Sequence, residues 1–532
     1  MSTELYVFYR REGELAPVGC LTPGSTLGGL EENRDYLIRV NTEGSRLFVD
    51  DAPLAMDPQR QYWIWSPGFY AGEVVVELEH PGQHEPMRYL VDVAPAPNKS
   101  GREQYLEYIS QIADYSPQLL MGTEPARHAI GGRSHVSLSS WIRYARLRCF
   151  IDPYLATLRA ICDRPLVRNR YHREQMPVHL ARRVDVSTVR RLEANPKLLA
   201  AIADQQVAQD NFNLGDNRLD VPFNEPTLDH PANRLIALQL DGVLRLAAHL
   251  IDEFTQGSTT TSETETDIQA RMPRRIAYLW KIKKQLLKLS RLSPFNVVTR
   301  SRVGVAGINA VSGSPHYDRS HRLGVRLLRE GLSNLGDDEQ HYLAPTWQVY
   351  EAWCFVALAR QLEQQLPEYH WELKTRVVFA DMVLEGKKDD MQVRLYTQLV
   401  CLSLENQNRY GYYSISRERR PDMVLEYSDG HGTRFVCLDS KYTTSRSGIL
   451  ESMASAHIYR DSIKRQGVSP LCSLLLVPNN EQAVLLSSKG YVDRHEVGCI
   501  LIADDNDAAK TMTTLLGYFT TLTDQPNSDN GV

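Results

Sequence analysis

The segment Arg420 to Tyr442, RPDMVLEYSDGHGTRFVCLDSKY, restricts what this chain can fold into more than any other stretch. Met423 to Tyr427 and Phe435 to Leu438 are strand-like, and the Asp-Gly turn signal between them predicts an antiparallel hairpin. With a four-residue loop from Asp429 to Gly432, paired positions sum to 861 and Asp422 stands opposite Asp439. Directly opposed side chains in such a pair have Cβ atoms about 4.5–5.5 Å apart, where like charges are destabilising. The base of this hairpin therefore needs a compensating positive charge. Mg²⁺, with its demand for oxygen donors in near-octahedral geometry, suits two carboxylates, the backbone carbonyl of Ser440 and waters; Mn²⁺ is the natural substitute. Lys441 lies two residues beyond Asp439 and projects from the same strand face. A metal that activates water and neutralises a phosphoryl oxygen, with an ammonium beside it, makes a phosphodiester hydrolysis site.

The rest of the chain must be several domains. Its 532 residues exceed what one ordinary core organises, and a composition of 42% apolar and 23% charged residues with a net charge of -5 excludes collagen-like, wholly disordered and supercharged classes. The charged amino terminus and the lack of any apolar run long enough to span a bilayer predict a cytoplasmic protein without a membrane partner. Eight scattered cysteines with no CxxC pair predict buried thiols rather than a disulfide framework or a zinc site.

A multidomain α+β architecture is expected. Residues 1–96 alternate short β-branched and aromatic runs (Leu5 to Tyr9, Tyr36 to Val40, Tyr62 to Trp65, Val74 to Leu78, Tyr89 to Val93) with turns, which predicts an antiparallel sandwich or barrel. The Ala94 to Gly101 stretch reads as a boundary. Residues 97–340 show helical spacing, as in Leu235, Leu238, Val243, Leu244, Ala247 and Leu250, and predict a mainly helical middle domain interrupted by a polar loop at Gln256 to Glu265. Residues 341–525 would form an α/β nuclease core, with 526–532 as a disordered tail.

The middle region hides a local basic excess. Between Arg127 and Arg191 there are fourteen arginines against four acids, and Arg271 to Arg291 holds eight Lys or Arg and no acid. Arg274, Lys281, Lys284, Lys288 and Arg291 recur at helical spacing beside an apolar stripe of Ile276, Leu279, Ile282, Leu286 and Leu289. Such a stripe either tracks phosphates, gaining affinity through counterion release, or is a solvated face.

Pro421-Asp422, sixteen intervening residues, then Asp439-Ser440-Lys441 resembles the signature of the PD-(D/E)XK nuclease superfamily. In that fold a glutamate-bearing helix precedes the strands. Thr346 to Leu362 reads as such a helix, with Trp347, Tyr350, Cys354, Phe355, Leu358 and Leu362 on its apolar side and Glu351 among them. A carboxylate there is costly unless it has a task, and the resemblance gives it one, as the first acid of the cluster, holding metal directly or through water. The order then runs through a strand at Met391 to Leu404, the hairpin, a helix from about Ile449 to Lys464 and a central strand at Leu471 to Val477. On that helix His457, Arg460 and Lys464 follow at steps of three and four from Met453, a face for the substrate phosphate or a solvated face.

Val349-Tyr350-Glu351-Ala352-Trp353, Arg420-Pro421-Asp422 and Met453 with His457-Ile458-Tyr459-Arg460-Asp461 are similar to the nuclease subunit of McrBC-type restriction systems and its longer relatives. Asp229-His230-Pro231-Ala232-Asn233-Arg234 and Ser293-Pro294-Phe295 are similar to segments of the region preceding that nuclease. The resemblance implies a Mg²⁺-dependent DNA endonuclease for restriction or phage defence, with Glu351, Asp422, Asp439 and Lys441 catalytic. It also implies a separate AAA+ GTPase or ATPase partner of the McrB type, in keeping with the absence of any GxxxxGK[ST] phosphate loop in this chain. A catalytically silent nuclease-fold scaffold that binds DNA and stimulates a motor is the rival reading. RNA as substrate, and assembly into homo-oligomers, stay open at the level of sequence.

Overall fold

A computed structural model describes residues 3–11, 14–40, 44–57, 61–83, 85–129, 140–177, 180–196, 199–200, 218–257, 266–300, 305–329, 340–377, 380–406, 411–430 and 432–520. The chain divides into two compact units, one of residues 1–145, 262–271 and 330–532, the other of residues 146–261 and 272–329. The expected 97–340 middle region therefore does not hold together as one body, because its first helix packs with the first unit. The expected tail, most of the Gln256 to Glu265 loop and hairpin residue His431 lie outside the described residues.

In the first unit the amino-terminal strands build two sheets. One is antiparallel throughout, in the order Glu14–Leu21, Leu5–Arg11, Tyr36–Arg39, Tyr62–Trp65 and Met56–Asp57. The other runs Gln340–Tyr342, Arg127–Ala129, Gly72–Glu79, Met87–Ala94 and Thr26–Glu31, with Arg46–Val49 also paired to Gly72–Glu79. Alternate residues of both, among them Val7, Ile38, Trp63, Val76, Tyr89 and Val91, fill one core. The expectation of a purely antiparallel domain needs correction at one place. Thr26–Glu31 pairs parallel to Met87–Ala94, and the strands Arg127–Ala129 and Gln340–Tyr342 join from beyond residue 96.

The carboxy-terminal sheet has seven strands in the order His370–Val377, Ala380–Lys388, Met391–Thr397, Met423–Asp429, Gly432–Ser440, Ser473–Val477 and Val497–Leu501. Pairing is antiparallel up to Gly432–Ser440 and parallel beyond it, as a helical crossover requires. One face, with Leu384, Leu395, Leu425, Val436 and Leu474, packs in a single core with the helices Thr346–Gln365 and Asp505–Thr520. On the other face Leu475 and Val477 pack against Ile449, Met453 and Ala456 of the helix Arg446–Ser462. Being covered on both sides explains why Leu471 to Val477 reads as a continuous apolar run.

The stretch read as a boundary is a docked connection. Asn98 donates to Thr444 Oγ1 at 3.2 Å, Ser100 shares a hydrogen bond with the Tyr442 hydroxyl, and Lys99 lies 4.8 Å over the Tyr442 ring. Lys99 also pairs with Glu32 at 2.8 Å, and the Thr346 hydroxyl donates to the same carboxylate. The following helix, Gly101–Tyr115, stacks Tyr108 on Trp353 at 4.1 Å.

In the second unit the helices Pro231–Gly257, Val305–Ser312 and Pro315–Leu328 pack together. Asn233 is fully buried, donates to the carbonyls of Leu166 and Leu228 and accepts from Tyr317, while Arg234 pairs with Asp229, so the Asp229 to Arg234 segment is a structural knot. A two-stranded ribbon, Arg168–Pro177 with Arg218–Thr227, adds strand to a region expected to be mainly helical.

Glu32 has a side chain with no solvent exposure and takes its positive charge from Lys99. Lys99→Met should cost about 3–5 kcal/mol, because it strands a buried carboxylate, and Glu32→Gln added to it should recover much of that loss. Denaturant midpoints of the two variants check this.

Candidate active site

The hairpin forms with Met423 opposite Leu438 and Asp429 opposite Gly432, so the pairing sum is 861. Its loop is tighter than four residues, since Asp429 and Gly432 are themselves a pair, but the register is unchanged. Asp422 sits one position before the first pair, and Asp439 is the penultimate residue of the partner strand Gly432–Ser440. Opposition of the two acids follows from alternation along both strands.

Compensation for their repulsion is visible atom by atom. Asp439 is 1% exposed; its Oδ2 lies 2.7 Å from Lys441 Nζ and accepts from the Ser455 hydroxyl at 2.6 Å. Asp422 Oδ2 accepts from the Ser440 backbone N–H at 2.7 Å, and its Oδ1 accepts from Gln398 Nε2 at 3.2 Å. The same Gln398 amide donates to Glu351 Oε1. Gln398 follows the strand Met391–Thr397 and holds a left-handed backbone, φ 51°, which is uncommon for a residue other than glycine and turns the side chain out of the strand pattern. Its own N–H donates to the Asp422 carbonyl at 2.7 Å.

Burial and mutual charge leave these acids in tension. Burial above all, then the Asp439 charge, pushes the Glu351 carboxyl up to about 7, although Gln398, Lys441 and Arg420 pull it back. Asp422 is raised well above its ordinary value by burial and by the charges of Glu351 and Asp439. For Lys441 burial acts downward, but Asp439, Asp422 and Glu351 outweigh it and hold the ammonium above its ordinary value. Three carboxyl groups beside one ammonium present hard oxygen donors that ionise reluctantly while no cation is near. That donor set fits a divalent cation of the Mg²⁺ class. Among the described residues no group of three or more His, Cys, Asp or Glu side chains is placed so that it could hold a metal ion as it stands. The Lys441 ammonium and the Gln398 amide lie among the acids instead.

The structure brings Glu351, Asp422, Asp439 and Lys441 into one neighbourhood, with the Ser440 N–H rather than its carbonyl as the group seen to touch an acid. The expected common face of His457, Arg460 and Lys464 is not formed. The helix ends at Ser462, Lys464 lies in the short strand Ile463–Arg465 and donates to Ser469 Oγ, and Arg460 pairs with Glu496. His457 is exposed. In the second unit Lys281, Lys284, Lys288 and Arg291 are exposed while Arg274 is half-buried, beside a stripe of which Leu279, Ile282, Leu286 and Leu289 are buried. Trp347, expected on the apolar side of its helix, is half exposed. Neither Ser455, whose only signal is its place two residues after Met453 on the helix over the hairpin, nor Gln398, a lone glutamine after a strand, is marked by a sequence pattern.

Residues 348–472 match the PD-(D/E)XK nuclease superfamily and carry its domain. No curated protein matches the chain. Among solved structures, a chain in the refined half-complex from the tetradecameric assembly of Thermococcus gammatolerans McrB AAA+ hexamers with bound McrC is similar at 11% identity and a TM-score of 0.25, over 92% of this chain and 100% of its own. A chain in the cryo-EM structure of the Thermococcus gammatolerans McrBC complex is similar at 12% identity and a TM-score of 0.17, over 64% of this chain and 88% of its own. The assignment rests on the 348–472 match.

The raised Glu351 carboxyl predicts a pH signature in metal-free protein. An acid titrating near 7 when folded and near its ordinary 4.5 when unfolded lowers stability as pH rises from about 4.5 to 7, with the full cost present above that window. Glu351→Gln keeps an acceptor for Gln398 and removes the charge. In EDTA it should stabilise the chain at pH 8 by on the order of 2 kcal/mol, and the gain should fade by about pH 4.5. Unfolding curves of both proteins at several pH values check the sign.

Proposed function

We propose that the chain is a Mg²⁺-dependent DNA endonuclease subunit that cuts phosphodiester bonds for a restriction or anti-phage system. The observation that carries this reading is the convergence of Glu351, Asp422, Asp439 and Lys441 within a segment matching a nuclease superfamily. Asp422 and Asp439 would hold the metal, with the Ser440 carbonyl and with Glu351, directly or through water. Bound there, the ion supplies Lewis-acid stabilisation of charge on phosphoryl oxygen and lowers the pKa of water.

This chain's own residues do the positioning. Lys441, held 2.7 Å from Asp439, presents a fixed ammonium where the attacking water and the phosphoryl oxygen must meet. Gln398 and the Ser440 N–H hold the two oxygens of the Asp422 carboxylate. Ser455 holds one oxygen of Asp439. The exposed Lys281, Lys284, Lys288 and Arg291 would contact nucleic-acid backbone, with His457, Arg460, Lys464 and Arg274 as weaker candidates.

The chain would act in the cytoplasm with a separate AAA+ GTPase or ATPase of the McrB type; this part rests on the sequence resemblance. Among the described residues no helix is long and apolar enough to cross a membrane. The silent-scaffold reading draws on one observation, the closed Lys441–Asp439 pair, which could serve as a structural ion pair alone.

Plasmid cleavage in Mg²⁺, with and without the motor, separates the readings. Asp422→Ala and Lys441→Ala should each lower the cutting rate by at least about a hundredfold while the far-UV spectrum is kept. Cleavage that survives both substitutions removes the mechanism, and a wild-type chain that titrates no Mg²⁺ or Mn²⁺ favours the scaffold.

A further inference from the structure

Continuous with the acidic cluster lies an open cavity of about 370 Å³, whose lining includes Glu351, Asp422, Gln398, Arg420 and Trp347. Trp347 stands one turn before Glu351 on the same helix and is 50% exposed. That exposure is out of keeping with the helix, where every residue from Ala352 to Ala359 is buried. An indole facing an opening contributes little to the fold. Ala352, Phe355 and Met423 give the cavity an apolar floor.

Charge decides what fits. The lining holds three carboxylates, Glu351, Asp381 and Asp422, against one guanidinium, and Arg420 is already engaged by Asp381 at 3.2 Å and by the Gln398 carbonyl at 3.3 Å. A phosphate in this space would find no unengaged cation among the lining residues. A flat, uncharged group with a π-face for the indole and N–H donors for the carboxylates would be held, and a nucleobase is such a group. The volume is at the lower end of the roughly 300–1,000 Å³ typical of small-molecule sites, room for a nucleoside and too narrow for a duplex.

We propose that this cavity receives one unstacked nucleobase of the strand to be cut, stacked on Trp347, while the neighbouring phosphate lies at the acidic cluster. The inference rests on the nuclease reading and sharpens its substrate class. The strand must be single, or have one base rotated out of its stack, at the point of cleavage. Bases with an exocyclic amino group offer the carboxylates two or more N–H donors against the single ring N–H of thymine, and are favoured over it.

Binding is measured on the full chain with Ca²⁺ in place of Mg²⁺, so that the acidic cluster keeps a dication while hydrolysis is suppressed, by anisotropy of fluorescein-labelled oligo-dC, oligo-dT and an abasic strand of equal length. Trp347→Ala should weaken oligo-dC binding about tenfold and Trp347→Phe should restore most of it. Wild type should prefer oligo-dC to oligo-dT, and for the abasic strand the Trp347→Ala change should have no effect. Equal binding of oligo-dC by wild type and Trp347→Ala, or an equal loss on the abasic strand, overturns the inference. Plasmid cleavage that depends on Asp422 reports separately on the nuclease reading. A chain that cuts in that way but is indifferent to Trp347 overturns this inference alone, and one that neither binds nor cuts overturns both.

Discussion

Three acids held away from water near one ammonium are the constraint around which the carboxy-terminal half is arranged. Like charges opposed across a hairpin oppose folding, and the chain answers with several fixed donors rather than one. Lys441 and Ser455 serve Asp439, the Ser440 N–H serves Asp422, and the Gln398 amide is shared between Asp422 and Glu351. The left-handed backbone at Gln398 is then intelligible. A residue continuing the strand would send its side chain to one face of the sheet, whereas a turned residue reaches the glutamate helix and the hairpin together.

The same elements are gripped from behind. Tyr350, next to Glu351, packs 5.0 Å from Tyr442, next to Lys441, and Tyr442 is in turn bonded by Ser100 and covered by Lys99. Lys99 and Thr346 both end on Glu32 of the amino-terminal sheets. One buried carboxylate thereby ties the start of the Glu351 helix to the connection that backs the Lys441 segment. Within this unit the amino-terminal domain is part of what holds the candidate site in shape, so a displacement of its sheets would be felt by Glu351 and Lys441 through short, direct contacts.

How much of this is legible in sequence depends on the range of the interaction. The hairpin register is local, fixed by an Asp-Gly turn and alternation, and the pairing sum of 861 follows from it. Glu351 is legible because a charge among apolar residues at helical spacing is anomalous. Amino-terminal strands such as Val74 to Leu78 and Tyr89 to Val93 lie within strands of the structure for the same reason. Non-local events are not legible. Nothing in the periodicity of Met453 to Lys464 marks the end of the helix at Ser462; the chain turns into a strand there because Ser414 and its neighbours offer a ladder, and Arg460 finds Glu496 from a distant segment. The parallel pairing of Thr26–Glu31, and the recruitment of residues 127–129 and 340–342 into the amino-terminal sheet, are equally non-local. Single serines and glutamines carry no pattern at all, which is why Ser455 and Gln398 are not legible.

The incompleteness of the compensation is itself informative. An arrangement selected for stability alone would pair each buried acid until its carboxyl fell below the ordinary range, as happens to Glu385, which burial pushes up but Lys374 and Arg394 pull down to about 2. Glu351 and Asp422 move the other way despite their hydrogen bonds. The chain thus shows that it can neutralise a buried carboxylate and does not do so here. What remains is a set of under-compensated oxygen donors beside an open cavity, a cost to folding that a dication would offset.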